Sequence, residues 1–139
     1  MTHSADETRR IVTQFWALMQ TNDWEAAAAL FNEDYVLDWP QSGERIVGRA
    51  NFVAVNANYP AAGRWQFTLE RLVVEGELAV TDVVVTDGAV TGRALTFSMV
   101  RGGRIVRQVE YWPDPFDAPA WRATWVQRDE RSGGILPAS

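Results

Sequence analysis

The chain has 139 residues, a length that fits one domain and is too short for two. It contains no cysteine, which excludes disulfides, thiolate metal sites and thiol nucleophiles. Its net charge of -5, with 13 basic residues spread among acidic ones, argues against nucleic-acid binding, because phosphate binding requires a basic face. Residues 1–7 are polar and acidic, and no apolar run approaches the ~20 residues of a membrane span. We therefore expect a cytoplasmic protein without a membrane partner.

The composition gives little support for a metal site or a cofactor. The single histidine, His3, lies near the amino terminus, where a solvated side chain is the simplest interpretation. The sequence therefore predicts no metal site, and we expect any reaction to proceed without a cofactor. Seven tryptophans are many for this length. Core packing accounts for most of them, although a pocket for a flat apolar ligand would use the same residues.

Helical patterns occupy the first half of the chain. Ser4 and Glu7 have the spacing of a capping box, and apolar residues then recur at helical spacing. A second helix is predicted from Asn22 to Phe31, and a third from Arg49 to the residue before Pro60. The apolar face of the first helix comprises Ile11, Phe15, Leu18 and Met19.

Period-two patterns replace the helical spacing after Gly63. They predict strands over 65–72, 78–86, 91–100 and 104–112, with turns at 87–88 and 102–103 and prolines ending the last strand. Helices first and antiparallel strands afterwards predict an α+β domain with the helices on one sheet face. We expect a single domain over residues 1–139, with an ordered core over about 7–125 and a mobile tail over 128–139.

Four fragments of the chain carry a family resemblance: residues 22–34, Gly48-Arg49, residues 103–105 and residues 108–113. In this order and spacing they resemble the SnoaL-like branch of the nuclear transport factor 2-like superfamily, over about residues 7–125. Residues 38–49 are similar to a bacterial subgroup of that branch. The resemblance implies a cone-shaped fold, in which three helices pack on a curved, mostly antiparallel sheet that encloses a pocket. It does not imply a reaction, because this fold hosts many chemistries.

The relatives include ketosteroid isomerases, limonene-epoxide hydrolases, polyketide cyclases, dehydratases and proteins without known catalysis. Aligned with the isomerases, Trp39, Phe15 and Thr96 occupy the positions of the general base, the tyrosine donor and its acid partner. The resemblance therefore does not extend to the isomerase mechanism. Aligned with the hydrolases, Glu110 matches one acid of the water-activating cluster, whereas Asp82 and Val84 fall at its other two positions. Glu110 is also the nearest candidate for the acid of the cyclases.

Strand alternation suggests how two acids could meet. Gln108, Glu110 and Trp112 share one face of the last strand with Val106, and Asp82 shares a face of its strand with Leu78, Val80 and Val84. If both faces line the cone, Glu110 and Asp82 enter one apolar cavity. Its other ligand-binding residues are then Phe15, Trp39, Val80, Val84, Thr96, Gln108 and Trp112.

Two carboxylates in such a cavity would serve as an acid/base pair, because burial and repulsion raise the pKa of at least one. The pair suits isomerisation, cyclisation, dehydration or epoxide opening of a small apolar molecule. Three alternatives stay open. In the first, Asp82 faces outward and pairs with Arg93 or Arg107. In the second, a bulge shifts the strand faces. In the third, the protein is a non-catalytic binder or dimeric scaffold.

The opposite sheet face is also predicted to be apolar. An antiparallel sheet normally leaves one face polar, so an apolar outer face predicts burial against a second copy. Sheet-to-sheet dimers are common among the relatives, and we expect a homodimer through this face. The residues assigned to it are Thr81, Val83, Val85, Ile105, Val109 and Tyr111.

Overall fold

Residues 4–128 are described by a computed structural model, in which three helices pack on one six-stranded sheet. His3 and the tail beyond Arg128 lie outside these residues. Within them, no helix is long and apolar enough to cross a bilayer. The helices are α1 (Ser4–Thr21), α2 (Trp24–Ala28) and α3 (Arg49–Asn58), and a 3-10 helix spans Ala120–Trp125. The strands are β1 (Phe31–Trp39), β2 (Glu44–Val47), β3 (Gln66–Glu75), β4 (Leu78–Thr86), β5 (Thr91–Arg101) and β6 (Arg104–Tyr111).

The strand order is β2-β1-β6-β5-β4-β3, and every neighbouring pair is antiparallel except β1 with β6. The predicted α+β architecture, with helices on a curved, mostly antiparallel sheet, is confirmed. The four predicted strands correspond to β3–β6, and α3 begins at the predicted residue. β1 and β2 were not predicted from their pattern, and α2 ends at Ala28 instead of Phe31. Three polar residues follow Phe31, so β1 lacks regular alternation, and its register with β6 shifts between Phe31 and Val36.

An aromatic cluster joins α1, α3 and β1. Phe31 stacks on Tyr35 with ring centroids 3.6 Å apart, and Phe52 of α3 meets Phe31 edge-on at 4.8 Å. Phe15 of α1 completes the group at 5.7 Å from Phe31. All four rings are buried, and such pairs contribute about 0.5–1.5 kcal/mol each beyond area burial. The cluster fixes the helices over one end of the sheet.

Arg49, which follows Gly48, has a structural role at the start of α3. Its guanidinium donates two hydrogen bonds to the carbonyl of Phe31, at 2.7 and 3.2 Å. Gly48 has φ +85°, a conformation that favours glycine, and its amide donates to the Tyr35 carbonyl at 2.9 Å. These bonds tie the start of α3 to β1.

The predicted faces of β4 are reversed in the structure. The inner face, which packs under the helices, carries Ala79, Thr81, Val83 and Val85, all buried. The prediction that Leu78, Val80, Asp82 and Val84 line the cone is therefore wrong, as is the assignment of Thr81, Val83 and Val85 to the outer face. β4 is apolar at most positions of both faces, so its pattern does not tell one face from the other.

A bulge at Val106 changes the faces of β6. Val100 pairs with Ile105 and Met99 with Arg107, so Val106 is an extra residue in the ladder. Ile105 is consequently buried on the inner side, contrary to its predicted outer position. Beyond the bulge the predicted alternation holds, and Gln108 and Glu110 face inward.

Candidate functional site

A cavity of about 810 Å³ lies between the inner sheet face and helices α1 and α3. This volume falls in the range of small-molecule sites. Aromatic side chains from helices, strands and loops form much of its wall. The aromatic lining residues are Phe15, Trp16, Trp39, Phe52, Tyr59, Trp65, Phe67 and Trp112.

The cavity opens where its lining residues are exposed, at the β1–β2 turn and the β4–β5 hairpin. Gln41 closes one side of this rim by bonding to the chain after β6. Its side-chain oxygen accepts from the Trp112 amide at 2.5 Å, and its side-chain nitrogen donates to the Trp112 carbonyl at 3.2 Å. The exposed rim residues are Gln41, Ser42, Glu44, Tyr59, Val90, Thr91 and Asp114.

Glu110 lines the cavity as a carboxylate with only 8% of its surface exposed. Its Oε1 accepts one hydrogen bond from the indole of Trp39 and one from the indole of Trp112, each 3.0 Å long. Its Oε2 accepts from the Thr96 hydroxyl at 2.6 Å. The ion pairs of residues 4–128 do not include Glu110. Three neutral donors therefore hold this acid.

Burial raises the pKa of Glu110 above its ordinary value of 4.5, and the bonds from Thr96, Trp39 and Trp112 only partly offset that rise. Indoles can only donate, so Oε1 must remain an acceptor in either protonation state. The proton of neutral Glu110 therefore resides on Oε2, beside a Thr96 hydroxyl that can also accept. The geometry defines which oxygen exchanges a proton.

Gln108 lines the cavity next to Glu110 and is fixed by two buried bonds. The Tyr35 hydroxyl donates to its side-chain oxygen at 2.6 Å, and its side-chain nitrogen donates to the Ser98 hydroxyl at 3.0 Å. Burial, followed by the nearby charge of Glu110, raises the pKa of Tyr35 well above 10.0. Tyr35 is therefore neutral and acts as a donor that holds Gln108 in place.

Asp82 lies on the outer sheet face, so the predicted carboxylate pair does not form. Its carboxylate is bound by the Arg93 guanidinium and lies 3.7 Å from Nε of Arg71. Arg93 also contacts Glu70 at 3.2 Å. The alternative of an outward Asp82 paired with Arg93 is the one observed. The predicted catalytic role of Asp82 is therefore wrong, because its carboxylate lies on the outer face and the arginines there compensate its charge.

Some of the other predicted site residues line the cavity, and others lie behind it or on the outer face. Phe15, Trp39, Gln108, Glu110 and Trp112 surround the cavity. Thr96 is fully buried behind Glu110 and reaches the cavity only through it. Val80 and Val84 lie on the outer face with Asp82, because the two faces of β4 are reversed relative to the prediction.

Several lining residues were not identified from the sequence. Phe52, Tyr59 and Trp65 lie on α3 and in the loop that follows, and Gln41 lies in the turn after the unpredicted β1. Among these four, the high tryptophan count bears only on Trp65. Among residues 4–128, no three histidine, aspartate or glutamate side chains converge to hold a metal ion.

We expect Glu110→Gln to change how stability depends on pH. In the window from 4.5 up to its raised pKa, Glu110 binds more protons in the folded than in the unfolded state. Its contribution to the free energy of unfolding therefore falls as pH rises through this window. Glutamine keeps an oxygen for both indoles and offers Thr96 an N–H, so the variant should gain stability relative to wild type as pH rises from 4.5 through the raised pKa of Glu110.

Urea unfolding at several pH values measures this difference, and Glu33→Gln, the same change at an exposed position, is the control. The lowered pKa values of Asp38 and Asp87 affect all three proteins alike and cancel. A variant that loses stability relative to wild type as pH rises would show that folding favours the ionised acid.

Comparisons with known proteins identify a family and a fold that agree with the observed architecture. A family model for the SnoaL-like domain matches residues 12–108. A crystal structure from Kribbella flavida, provisionally named a ketosteroid isomerase, is 32% identical over 91% of this chain and 92% of its own, with a TM-score of 0.83. An NTF-2 like protein of unknown function from Burkholderia xenovorans is 31% identical over 91% of this chain and 98% of its own, with a TM-score of 0.74.

An LEH-like epoxide hydrolase from M. tuberculosis shares the fold at a TM-score of 0.65, with 19% identity over 78% of this chain and 84% of its own. The curated proteins contain no match. The match to the family model covers more than half of the chain, and two relatives exceed 30% identity over nearly its whole length. The chain belongs to the SnoaL-like family of the nuclear transport factor 2-like superfamily.

Proposed function

We propose that this protein binds a small, largely apolar organic molecule in its cavity, with Glu110 as the polar anchor. The observation that carries the proposal is one buried acid, held by neutral donors only, in a cavity of about 810 Å³ that eight aromatic side chains line. Aromatic walls supply most of the burial energy of a small ligand, and a few fixed polar groups orient it. Gln108, held by Tyr35, is the second such group.

The energetics of Glu110 support a role beyond packing. A buried carboxylate without a countercharge destabilises a fold when ionised, and the raised pKa of Glu110 expresses this penalty. A structural acid is typically paired, as Asp82 is with Arg93 on the other face. Perturbed, unpaired acids in cavities concentrate at functional sites.

Proton transfer by Glu110 alone is a second candidate. The upward shift of its pKa favours this role, because burial makes the carboxylate a better proton acceptor than an exposed glutamate. The exchanging oxygen would be Oε2, next to Thr96. The family includes isomerases, cyclases and epoxide hydrolases, and a single acid can serve enolisation-type steps. The two-carboxylate mechanism is not available to this chain.

We expect a panel of small cyclic alcohols, ketones and amines to include compounds that quench tryptophan fluorescence saturably and raise the Tm. Glu110→Gln should weaken binding of the amines by about tenfold, since a protonated amine donates to the carboxylate and bonds to charged groups contribute about 1.5–3 kcal/mol. Val55→Trp, which adds bulk to the cavity wall, should abolish binding.

Glu33→Gln is the matched control and should bind as wild type does. Equal binding by wild type and Val55→Trp would place the ligands outside the cavity and overturn the proposal. For any ketone that binds, solvent deuterium exchange at the carbon next to the carbonyl distinguishes the two candidates. Exchange that depends on Glu110 supports catalysis, and its absence supports binding alone.

We also propose that two copies pair through the outer sheet face. The half-exposed Val80 and Phe97 and the more exposed Val73 are neighbours in the ladder, and Val109 continues the row across β6. This apolar row crosses four strands. Arg107 flanks it, in an ion pair with Asp38. A flat apolar row with its flanking charges already paired suits contact with an identical face.

We expect light scattering coupled to gel filtration to give the mass of a dimer at micromolar concentration. Phe97→Asp should give a monomer with unchanged circular dichroism, because it places a charge in the middle of the row. Val90→Asp, at the exposed β4–β5 hairpin, is the control and should remain dimeric. A monomeric wild type would refute the proposed interface.

A further inference from the structure

The ionisable groups that line the cavity all carry the same sign. Glu110 lies in its interior, and Glu44 and Asp114 lie at its exposed mouth. Among residues 4–128, no lysine, arginine or histidine lines this space. The arginines nearest in the sheet, such as Arg93 and Arg107, are on the outer face and are paired with acids there. The electrostatic potential inside the cavity is therefore negative.

The aromatic walls favour the same kind of guest. Phe, Tyr and Trp rings present negative faces, and a cation within about 6 Å of such a face is stabilised by about 2 kcal/mol or more when water is excluded. Eight aromatic residues line the cavity, among them Trp39 and Trp112 on either side of Glu110. Such rings would contact an apolar body and a cationic group equally well.

Glu110 itself has one acceptor position left. A carboxylate offers about four acceptor positions, two on each oxygen. Trp39 and Trp112 occupy both on Oε1, and Thr96 occupies one on Oε2. The remaining position on Oε2 fits a single N–H donor, and a charge-assisted bond there would be stronger than one from a neutral donor.

We infer that the ligand of the proposed site is an organic ammonium ion with a small apolar body, bound through Oε2 of Glu110 and the surrounding rings. This inference rests on the proposed binding function and specifies its ligand class. Transferring an ammonium group from water into the cavity is costly unless a countercharge receives it. Glu110 supplies that countercharge, and the ligand in turn compensates the buried acid, which residues 4–128 leave without an ion pair.

Three probes of one shape test the inference: cyclohexylmethylammonium, cyclohexylmethanol and cyclohexanecarboxylate. Calorimetric titration at neutral pH should rank the affinities in that order. The ammonium should bind at least about tenfold more tightly than the alcohol, and the carboxylate should bind most weakly. Glu110→Gln should reduce the preference of ammonium over alcohol to less than about threefold while retaining the alcohol.

The net charge of -5 would by itself attract cations to the surface, and salt separates that effect from the site. A preference that persists at about 0.5 M salt belongs to the buried acid, because surface attraction is screened there. Glu33→Gln, the matched surface change, should keep the full preference.

The outcomes distinguish the inference from the function on which it rests. If the alcohol binds as tightly as the ammonium, or if Glu110→Gln keeps the preference, the inference is overturned and binding in the cavity stands. If none of the three probes binds but other apolar compounds bind and are excluded by Val55→Trp, the inference is again overturned and the function stands. If no compound of either set binds, both fail.

Discussion

The carboxylate of Glu110 connects three separate parts of the sheet through neutral hydrogen bonds. Trp39 ends β1, Thr96 lies in the middle of β5, and Trp112 follows β6. Each donor must be in place for the acid to remain buried, so the positions of β1 and β5 relative to β6 constrain one another. The register that places Thr96 opposite Glu110 is the direct structural basis of this arrangement. The aromatic cavity, the fixed Gln108 and the closed rim at Gln41 all adjoin this point.

Acidic side chains on the two faces of the sheet have different kinds of partner. On the outer face, Asp82 is compensated by Arg93, and Asp38 accepts bonds from Arg45 and Arg107, which hold its pKa below the ordinary range. On the inner face, Glu110 has only neutral donors, and burial raises its pKa. A carboxylate is therefore paired with arginine on one face and held by neutral donors on the other. Position relative to arginine, more than burial, separates a structural acid from a candidate functional one.

Composition and periodicity predicted the architecture because long antiparallel strands alternate and helices do not. Strand alternation put Gln108, Glu110 and Trp112 on one shared face, and the structure places that face at the cavity. Which face points inward does not follow from the pattern, because the inner face of β6 carries the polar Gln108 and Glu110. Composition and periodicity failed on β4, where Val occupies both faces and the position of Asp82 depends on arginines in other strands. They also missed β1, whose polar residues after Phe31 interrupt the alternation. Pairings between distant strands decided these positions, and a local pattern does not contain them.

The hydrogen bonds to Glu110 involve positions that align with catalytic positions of ketosteroid isomerases. Trp39 and Thr96 align with the general base and the acid partner of those enzymes, and both donate hydrogen bonds to Glu110. Phe15, at the position of the tyrosine donor, lines the same cavity. In this chain the buried acid lies on the last strand, and the residues at two of the aligned positions are its hydrogen-bond donors. In this chain the polar group of the cavity is supplied by β6, so a shared fold does not fix which strand carries the acid.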